Sequence, residues 1–307
     1  MNSRVPLAVA IPQTFLDGRV EPLRIREYLT RAEALGFEGA WVVEQILGRI
    51  PILEPVELLT YAAAITERLR LGSAVLLTAL RSPVHLAKSL ATLDHLSGGR
   101  LIVGVGLGAN QPLYPAFGVP TGGRAERFAE GVRLMKRLWT ESRVTFDGRF
   151  WKLTDAAMEP KPVQKPHPPI WFGAHHPNAL RRAVELGDGF IGAGSASTAK
   201  FIDEVRTLRG LLAGAGRDPA TFGVGKRVYI AIDEDRARAG KRLAEWFDAF
   251  YGNAELAARV AVWGGPAECV EGLREIVEGG ARFLMLNSVF DELDQLERFA
   301  SEIAPKL

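Results

Sequence analysis

The chain has 307 residues, of which 47% are hydrophobic and 24% are charged, and its formal net charge is +2. This nearly neutral balance disfavours nucleic acid as a partner, and no apolar stretch reaches the about 18 residues that a membrane span needs. Cys269 is the only cysteine, which excludes an internal disulfide and a cysteine metal cluster and favours a cytoplasmic location.

Strand-like and helix-like segments alternate along the chain. The predicted strands span residues 5–11, 39–43, 69–77, 101–107, 170–173, 190–194, 223–232 and 283–286. The predicted helices span residues 23–35, 55–66, 84–96, 124–139, 179–186, 199–212, 267–277 and 293–303. Eight short strands alternating with helices predict an α/β protein with a single (β/α)8 TIM barrel over residues 1–307, rather than a doubly wound sheet.

Two insertions interrupt this alternation. Residues 144–153, with Asp147-Gly148 at their centre, are typical of a β-hairpin, and a proline-rich run follows at 160–169. Residues 233–265, between the seventh and eighth strands, are long enough for extra helices over the barrel mouth. Long insertions at the carboxyl ends of barrel strands usually carry specificity.

The segment 82–108 carries the most information. Leu86, Leu90 and Leu93 give its helix one apolar face. The helix is followed by a pair of glycines that can take the left-handed backbone of a helix end, and then by a strand that is apolar on both faces. The glycines of this segment are Gly98, Gly99, Gly104, Gly106 and Gly108. Those at the strand end let a flat or polar group approach the backbone closely.

This segment resembles the signature region of the bacterial luciferase-like family of flavin-dependent and coenzyme F420-dependent oxidoreductases. The residues that carry the resemblance are Pro83, Ala87-Lys88, Ala91-Thr92-Leu93-Asp94, Leu96-Ser97-Gly98-Gly99-Arg100 and Gly104-Val105-Gly106. The resemblance continues through 71–75, 168–170 and 187–189, and so covers nearly the whole chain. It implies a bound flavin-type ring that carries the hydride, while the protein positions a substrate and excludes water.

Ala74 and Val75 lie near the end of the third predicted strand. In members of this family, a non-proline cis peptide at this position often bulges against the face of the cofactor ring. The resemblance therefore implies that Ala74 and Val75 contact the cofactor. The alternative is that both are ordinary core residues of a strand.

Glu44 and Gln45 follow the second predicted strand, where their side chains can point into the barrel mouth. Family members often place an acidic residue or a histidine here, near the reactive ring, so both residues are catalytic candidates. Gln45 departs from the histidine version, because glutamine can orient a ligand but cannot titrate. The alternative for Glu44 is a carboxylate in a surface loop.

The loop after the fourth strand supplies three cofactor-binding candidates, Leu107, Gly108 and Ala109. Glycine there lets the backbone contact the cofactor. Gln111, Pro112 and Pro115 are expected to break any helix after this loop, and a Rossmann dinucleotide site is therefore disfavoured.

The loops after the fifth and sixth strands supply the other candidates. Their residues are Gly173, Ala174 and His175, and Gly194 and Ser195. The resemblance implies that both loops bind the phosphate-bearing tail of the cofactor. Asn178 is predicted to cap the next helix, whose N-terminus is a ready anion site; ordinary capping is the alternative. Although His175 and His176 are adjacent, no carboxylate accompanies them at metal-ligand spacing, so no metal site is predicted.

The expected function is hydride transfer between coenzyme F420 and a small organic substrate. The alternatives are an FMN-dependent monooxygenase that uses reduced flavin and oxygen, and a non-catalytic flavin-binding barrel. An enzyme of the aldolase type, which forms a Schiff base, is disfavoured because Lys226 lies within a strand and not at its end. Aromatic residues within 111–123 and 247–263 favour an apolar or aromatic substrate. The resemblance also implies a homodimer.

Overall fold

The computed structural model describes residues 5–108, 111–120 and 122–307. The strands of this part of the chain are β1 (Leu7–Ala10), β2 (Gly39–Val42), β3 (Arg70–Ser73), β4 (Leu76–Leu77), β5 (Leu101–Gly106), β6 (Val144–Asp147), β7 (Lys152–Ala156), β8 (Ile170–Gly173), β9 (Gly189–Gly192), β10 (Gly223–Ile232), β11 (Val262–Gly264) and β12 (Phe283–Asn287). Parallel pairing runs in the order β1-β2-β3-β5-β8-β9-β10-β12, and β12 pairs with β1 to close a barrel. The predicted (β/α)8 barrel is therefore confirmed.

Helices surround the barrel. Within the described residues they are α1 (Pro22–Ala34), α2 (Pro55–Ile65), α3 (Pro83–Leu96), α4 (Arg124–Thr140), α5 (Pro177–Leu186), α6 (Thr198–Gly214), α7 (Arg236–Tyr251), α8 (Glu255–Val260), α9 (Pro266–Glu278) and α10 (Glu292–Arg298). Proline occupies the first turn of α1, α2, α3, α5 and α9, where its missing N–H has no partner to lose. None of the described helices is long and apolar enough to cross a membrane.

The α3–β5 segment has the predicted form. Leu86, Leu90 and Leu93 are buried, and every residue of β5 is buried. Gly98 and Gly99 both have positive φ, at 64° and 80°, as the predicted glycine stop requires. This region therefore carries both the barrel wall and the strand end that faces the site.

The third predicted strand is interrupted at its carboxyl end. β3 ends at Ser73, the Ala74–Val75 peptide bond is cis, and the chain resumes pairing as β4. Close approach of β3 to β5 requires glycine at position 104, because a Cβ there would lie 1.7 Å from the carbonyl oxygen of Ser73. The Ser73 hydroxyl donates to the Gly104 carbonyl at 2.9 Å and accepts from its N–H at 3.0 Å. These contacts fix the position of the cis segment over the barrel.

Both predicted insertions are structured. β6 and β7 form the antiparallel hairpin, and residues 233–265 supply α7, α8 and β11, which extends the sheet beside β10. One prediction is wrong: residues Gln111–Phe117 form a 3-10 helix despite their prolines. The tighter 3-10 turn tolerates prolines that an α-helix would exclude, since short turns need few N–H donors.

Candidate cofactor site

A cavity of about 370 Å³ opens at the carboxyl ends of β3, β5, β8 and β9. The described cofactor-binding candidates all line it, namely Ala74, Val75, Leu107, Gly108, Gly173, Ala174, His175, Gly194 and Ser195. Ala109, the tenth candidate, lies outside the described residues. The barrel thus brings together residues that are up to about 120 positions apart in the chain, at the end where barrel enzymes carry their chemistry.

The cis segment forms one wall of the cavity. The Val75 side chain lies against the ends of β5 and β8, because a Cβ at Gly106 would lie 2.5 Å from Val75 Cγ2 and one at Gly173 would lie 3.1 Å from Val75 Cγ1. The Ala74 N–H donates to the Val42 carbonyl at 2.7 Å, which ties the segment to β2. Glycine at both strand ends therefore makes room for a branched apolar side chain across the mouth.

Gly108 follows β5 in a backbone conformation that favours glycine. This residue has φ +70°, and a Cβ there would also lie 2.7 Å from Leu77 Cδ2. The Tyr114 hydroxyl donates to the Leu107 carbonyl, which holds the loop from the other side. A left-handed backbone and a crowded neighbour both require glycine at this position.

The loop after β8 leads into α5 through a histidine. His176 is the N-cap, and its Nδ1 accepts from the Asn178 N–H at 3.1 Å. The prediction that Asn178 is the cap is therefore wrong, because Pro177 begins the helix one residue before it. Next to this cap, the exposed His175 ring pairs through Nδ1 with Glu204 Oε1 at 2.9 Å. Glu204 is only 2% exposed, so a buried carboxylate orients this histidine.

The loop after β9 is anchored by Lys226. Its Nζ donates to the carbonyls of Ala193 and Ala196, the latter at 2.8 Å, and so brackets Gly194 and Ser195. Burial lowers the pKa of Lys226 to about 7. The sequence showed only that this lysine lies within a strand, and its role beneath the loop was missed.

Arg182 on α5 offers an unused donor to the cavity. It lines the cavity, and its Nε is buried with no hydrogen-bond partner among the described residues. Burial lowers the pKa of this guanidinium. Since a guanidinium is a strong donor to anionic groups, Arg182 is suited to an anionic part of a bound ligand.

Arg227, Tyr229 and Tyr251 form a hydrogen-bonded group that reaches the cavity wall. The sequence did not reveal this group. Arg227 Nη2 donates to the Tyr229 hydroxyl at 2.7 Å, and the Tyr229 and Tyr251 hydroxyls are 2.8 Å apart. Arg227 also lines a second, smaller cavity of about 30 Å³ with Gln13 and Asn287. Alternation along a strand was the available signal, because Arg227 and Tyr229 are two residues apart and share one face of β10.

The two catalytic candidates lie apart from the described cavity wall. The Glu44 side chain is fully buried and accepts from the Leu77 N–H and from Arg81, whose Nε is 3.1 Å away. Burial raises the pKa of Glu44, and Arg81 opposes that shift. Gln45 is half-buried and folds over Gly48, where a Cβ would lie 1.9 Å from Gln45 Nε2. Their catalytic roles stay predictions.

A flavin-type cofactor fits this cavity on two observations. The walls around the strand ends are apolar, with Val75, Phe128, Phe172 and Ile191 on different elements, as a flat ring requires. The unpartnered Arg182 Nε and the N-terminus of α5 are suited to an anionic tail. Within the described residues, no group of three or more histidines, cysteines or carboxylates could hold a metal ion.

Comparisons with known proteins give one family and several relatives. A family model described as luciferase-like monooxygenase matches residues 8–282. An F420-dependent glucose-6-phosphate dehydrogenase from Beutenbergia cavernae is 30% identical over 93% of this chain and 94% of its own.

Two solved structures are similar to the whole chain. An F420-dependent secondary alcohol dehydrogenase in complex with an F420-acetone adduct has a TM-score of 0.86 at 19% identity, covering 99% of both chains. At that identity the likeness shows the fold alone. The monooxygenase RslO1 from Streptomyces bottropensis has a TM-score of 0.82 at 25% identity, covering 97% of this chain and 98% of that chain.

Proposed function

Because the chain belongs to the luciferase-like monooxygenase family, we propose that it is an oxidoreductase that transfers hydride between coenzyme F420 and a small organic substrate. The observation that carries the proposal is the cavity wall, in which the cis Ala74–Val75 segment faces the glycine ends of β5 and β8. The name of the Beutenbergia cavernae relative, at 30% identity over nearly all of both chains, supports F420 as the cofactor.

The chain's residues would bind and orient the cofactor, which supplies the hydride chemistry when bound. Val75 would support one face of the ring, so the substrate would approach the other face. Arg182 and the α5 N-terminus would bind the anionic tail, and the Lys226-anchored loop would close over it. The Tyr251 ring, which lines the cavity and packs against Phe250 at 4.8 Å, favours an apolar or aromatic substrate.

Glu44 would act through the segment that follows the cis bond, and Gln45 would orient a ligand at the mouth. Glu44 joins the end of β2 to Leu77 and Arg81, so we expect Glu44→Ala to weaken cofactor binding about tenfold by releasing this segment. The matched control is Glu54→Gln, because Glu54 also pairs with Arg81 but is more exposed. A Glu44→Ala variant with unchanged affinity and activity would remove Glu44 from the site.

We expect a homodimer, as the family resemblance implies. Several large apolar side chains are exposed on the first loop, on α1 and in the loop after β2, namely Leu16, Leu23, Ile46 and Leu47. Burial of such side chains is a common source of association energy. Light scattering coupled to size-exclusion chromatography would measure the mass, and a monomer at micromolar concentration would contradict the expectation.

The second candidate function is an FMN-dependent monooxygenase. The monooxygenase from Streptomyces bottropensis favours it, at 25% identity over nearly the whole of both chains. The same cavity would then hold reduced FMN, and a substrate that accepts an oxygen atom would meet it.

Titration of the apo-protein with coenzyme F420 and with FMN, followed by fluorescence, distinguishes the two functions. The proposal predicts micromolar or tighter binding of F420 and anaerobic ring reduction by an oxidisable substrate from a panel of alcohols and sugar phosphates. Selective FMN binding would instead favour the monooxygenase. Binding of neither would contradict both functions.

A further inference from the structure

A chain of hydrogen bonds ends in the cavity wall at Tyr251. It begins at Arg227 on β10, passes through the Tyr229 hydroxyl at 2.7 Å and reaches the Tyr251 hydroxyl 2.8 Å further on. Tyr229 is fully buried, whereas Tyr251, the last residue of α7, is 37% exposed and lines the cavity. Gly194 brings this chain close to the end of β9, because a Cβ there would lie 2.8 Å from Tyr229 Cε2.

Arg227, the first residue of this series of hydrogen bonds, is held in place, and its positive charge has no carboxylate partner among the described residues. Its Nε donates to Asn287 Oδ1 at 2.8 Å, and Asn287 Nδ2 donates to the Ser288 carbonyl at 2.9 Å, which fixes the amide orientation. Arg227 is 9% exposed and forms no salt bridge with the residues that the structure describes. Its charge therefore acts on the groups to which it donates.

Donors and acceptors can be assigned along this series of hydrogen bonds, starting from Arg227. Arginine has donors only, so the Tyr229 oxygen accepts from it. Burial raises the pKa of Tyr229 far above its usual value, so the phenol keeps its single proton. A buried hydroxyl proton needs an acceptor, and the Tyr251 oxygen is at hydrogen-bonding distance. The proton of Tyr251 is then free to point away from Tyr229, towards the cavity.

We propose that Tyr251 donates a hydrogen bond to a ring oxygen of the bound cofactor, and that Arg227 and Tyr229 are positioning residues that direct this donor. This rests on the function proposed above, in which a flavin-type ring occupies the cavity. Flavin and deazaflavin rings both carry carbonyl oxygens, which become more negative when the ring takes up hydride. A donor backed by an unpaired guanidinium therefore stabilises the reduced cofactor more than the oxidised one.

The test compares binding of oxidised and reduced cofactor to Tyr251→Phe, Tyr229→Phe and a matched control. The control is Tyr61→Phe, whose hydroxyl lies 3.4 Å from the Pro22 carbonyl and outside the cavity lining. Affinities for FMN and for F420 are measured in both redox states without oxygen. We expect Tyr251→Phe to weaken binding of the reduced form about tenfold more than the oxidised form. That ratio lowers the bound reduction potential by about 30 mV for a two-electron couple.

Tyr229→Phe should shift the potential in the same direction by a smaller amount, although Tyr229 does not line the cavity. Tyr61→Phe should leave the potential unchanged. Equal weakening of both redox states by Tyr251→Phe would overturn the proposal, because it would point to the phosphate-bearing tail, whose charge does not change on reduction. Unchanged affinities would overturn it as well.

Two further measurements distinguish failure of the proposed function from failure of a variant to fold. If the wild-type protein binds neither cofactor in either redox state, the proposed function itself fails. Thermal unfolding checks that each variant folds, and Tyr251→Phe carries the test by itself if Tyr229→Phe does not fold, since Tyr251 lies at an exposed helix end.

Discussion

Val75 sets the shape of the cavity through its contacts with two glycines. Its two methyl groups lie where side chains at Gly106 and Gly173 would otherwise project. A methyl group at position 106 would overlap the valine side chain, and one at position 173 would crowd it at 3.1 Å. The identity of both glycines is thus explained by the valine they face.

We expect Gly106→Ala to displace Val75 and to weaken cofactor binding about tenfold or more. The new methyl group would lie 2.5 Å from Val75 Cγ2, so the valine side chain must move and the cavity wall that it forms changes shape. The measurement is a fluorescence titration with F420 or FMN. The control is Gly210→Ala on α6, where a Cβ meets nothing within 4 Å. Equal affinities of the two variants would refute the role of Val75.

Arg182 is the cation on α5 that lines the cavity. Its buried Nε has no partner among the described side chains and backbone groups. We expect Arg182→Met to lose about tenfold in affinity for FMN but little for riboflavin, because a charge-assisted hydrogen bond to the phosphate disappears. A calorimetric titration with both ligands measures this. A matched loss for riboflavin would show that Arg182 does not recognise the phosphate.

At the level of elements, the loop between β9 and α6 depends on one side chain from the neighbouring strand. Lys226 Nζ donates to two carbonyls of this loop, and its pKa is lowered to about 7 by burial. In the unfolded chain the same amine has a pKa of about 10.4. Between these two values the unfolded state binds more protons, so this group makes stability rise with pH.

We expect Lys226→Met to remove this pH dependence. The free energy of unfolding of the wild-type protein should rise, relative to the variant, by on the order of a few kcal/mol between pH 7 and about pH 10. Urea unfolding at the two pH values measures the difference, and subtraction of the variant cancels the other titrating groups. A difference that stays constant, or that falls with rising pH, would show that Lys226 is charged in the folded protein.

The elements differ in how far the sequence predicted them. Helix α3 and strand β5 followed from local patterns, since leucine spacing, the pair Gly98-Gly99 and an apolar run all lie within a few residues of one another. The boundary at α5 was misjudged because both His176 and Asn178 can cap a helix, and the position of Pro177 decides between them. Local patterns therefore predict elements well and their ends less well.

The polar contacts of the site could not be predicted from the sequence, because they join residues that are far apart in the chain. Glu44 meets Arg81 across 37 positions, Lys226 meets the β9 loop across about 30, and Tyr229 meets Tyr251 across 22. Composition shows that such groups exist but not which of them pair, because the pairing depends on strand order and helix packing. The cofactor-binding candidates came instead from resemblance, and their common location in one cavity is a separate observation.

At the scale of the whole molecule, the closed barrel makes the site. Strand β3 contributes the cis segment, β5, β8 and β9 contribute glycine-bearing ends, and β10 with α7 contributes the polar chain. A parallel barrel places all of these ends on one face, which is why residues from six elements can meet one ligand. We propose that this ligand is coenzyme F420.

A crystal structure of the protein with F420 bound would show whether the cofactor occupies this cavity. We expect the deazaflavin ring to lie against Val75 and the phosphate-bearing tail to lie near Arg182 and the loops at 173–176 and 193–196. Tyr251 should lie within hydrogen-bonding distance of a ring oxygen. Well-defined F420 at any other place on the protein, with this cavity filled only by solvent, would contradict it.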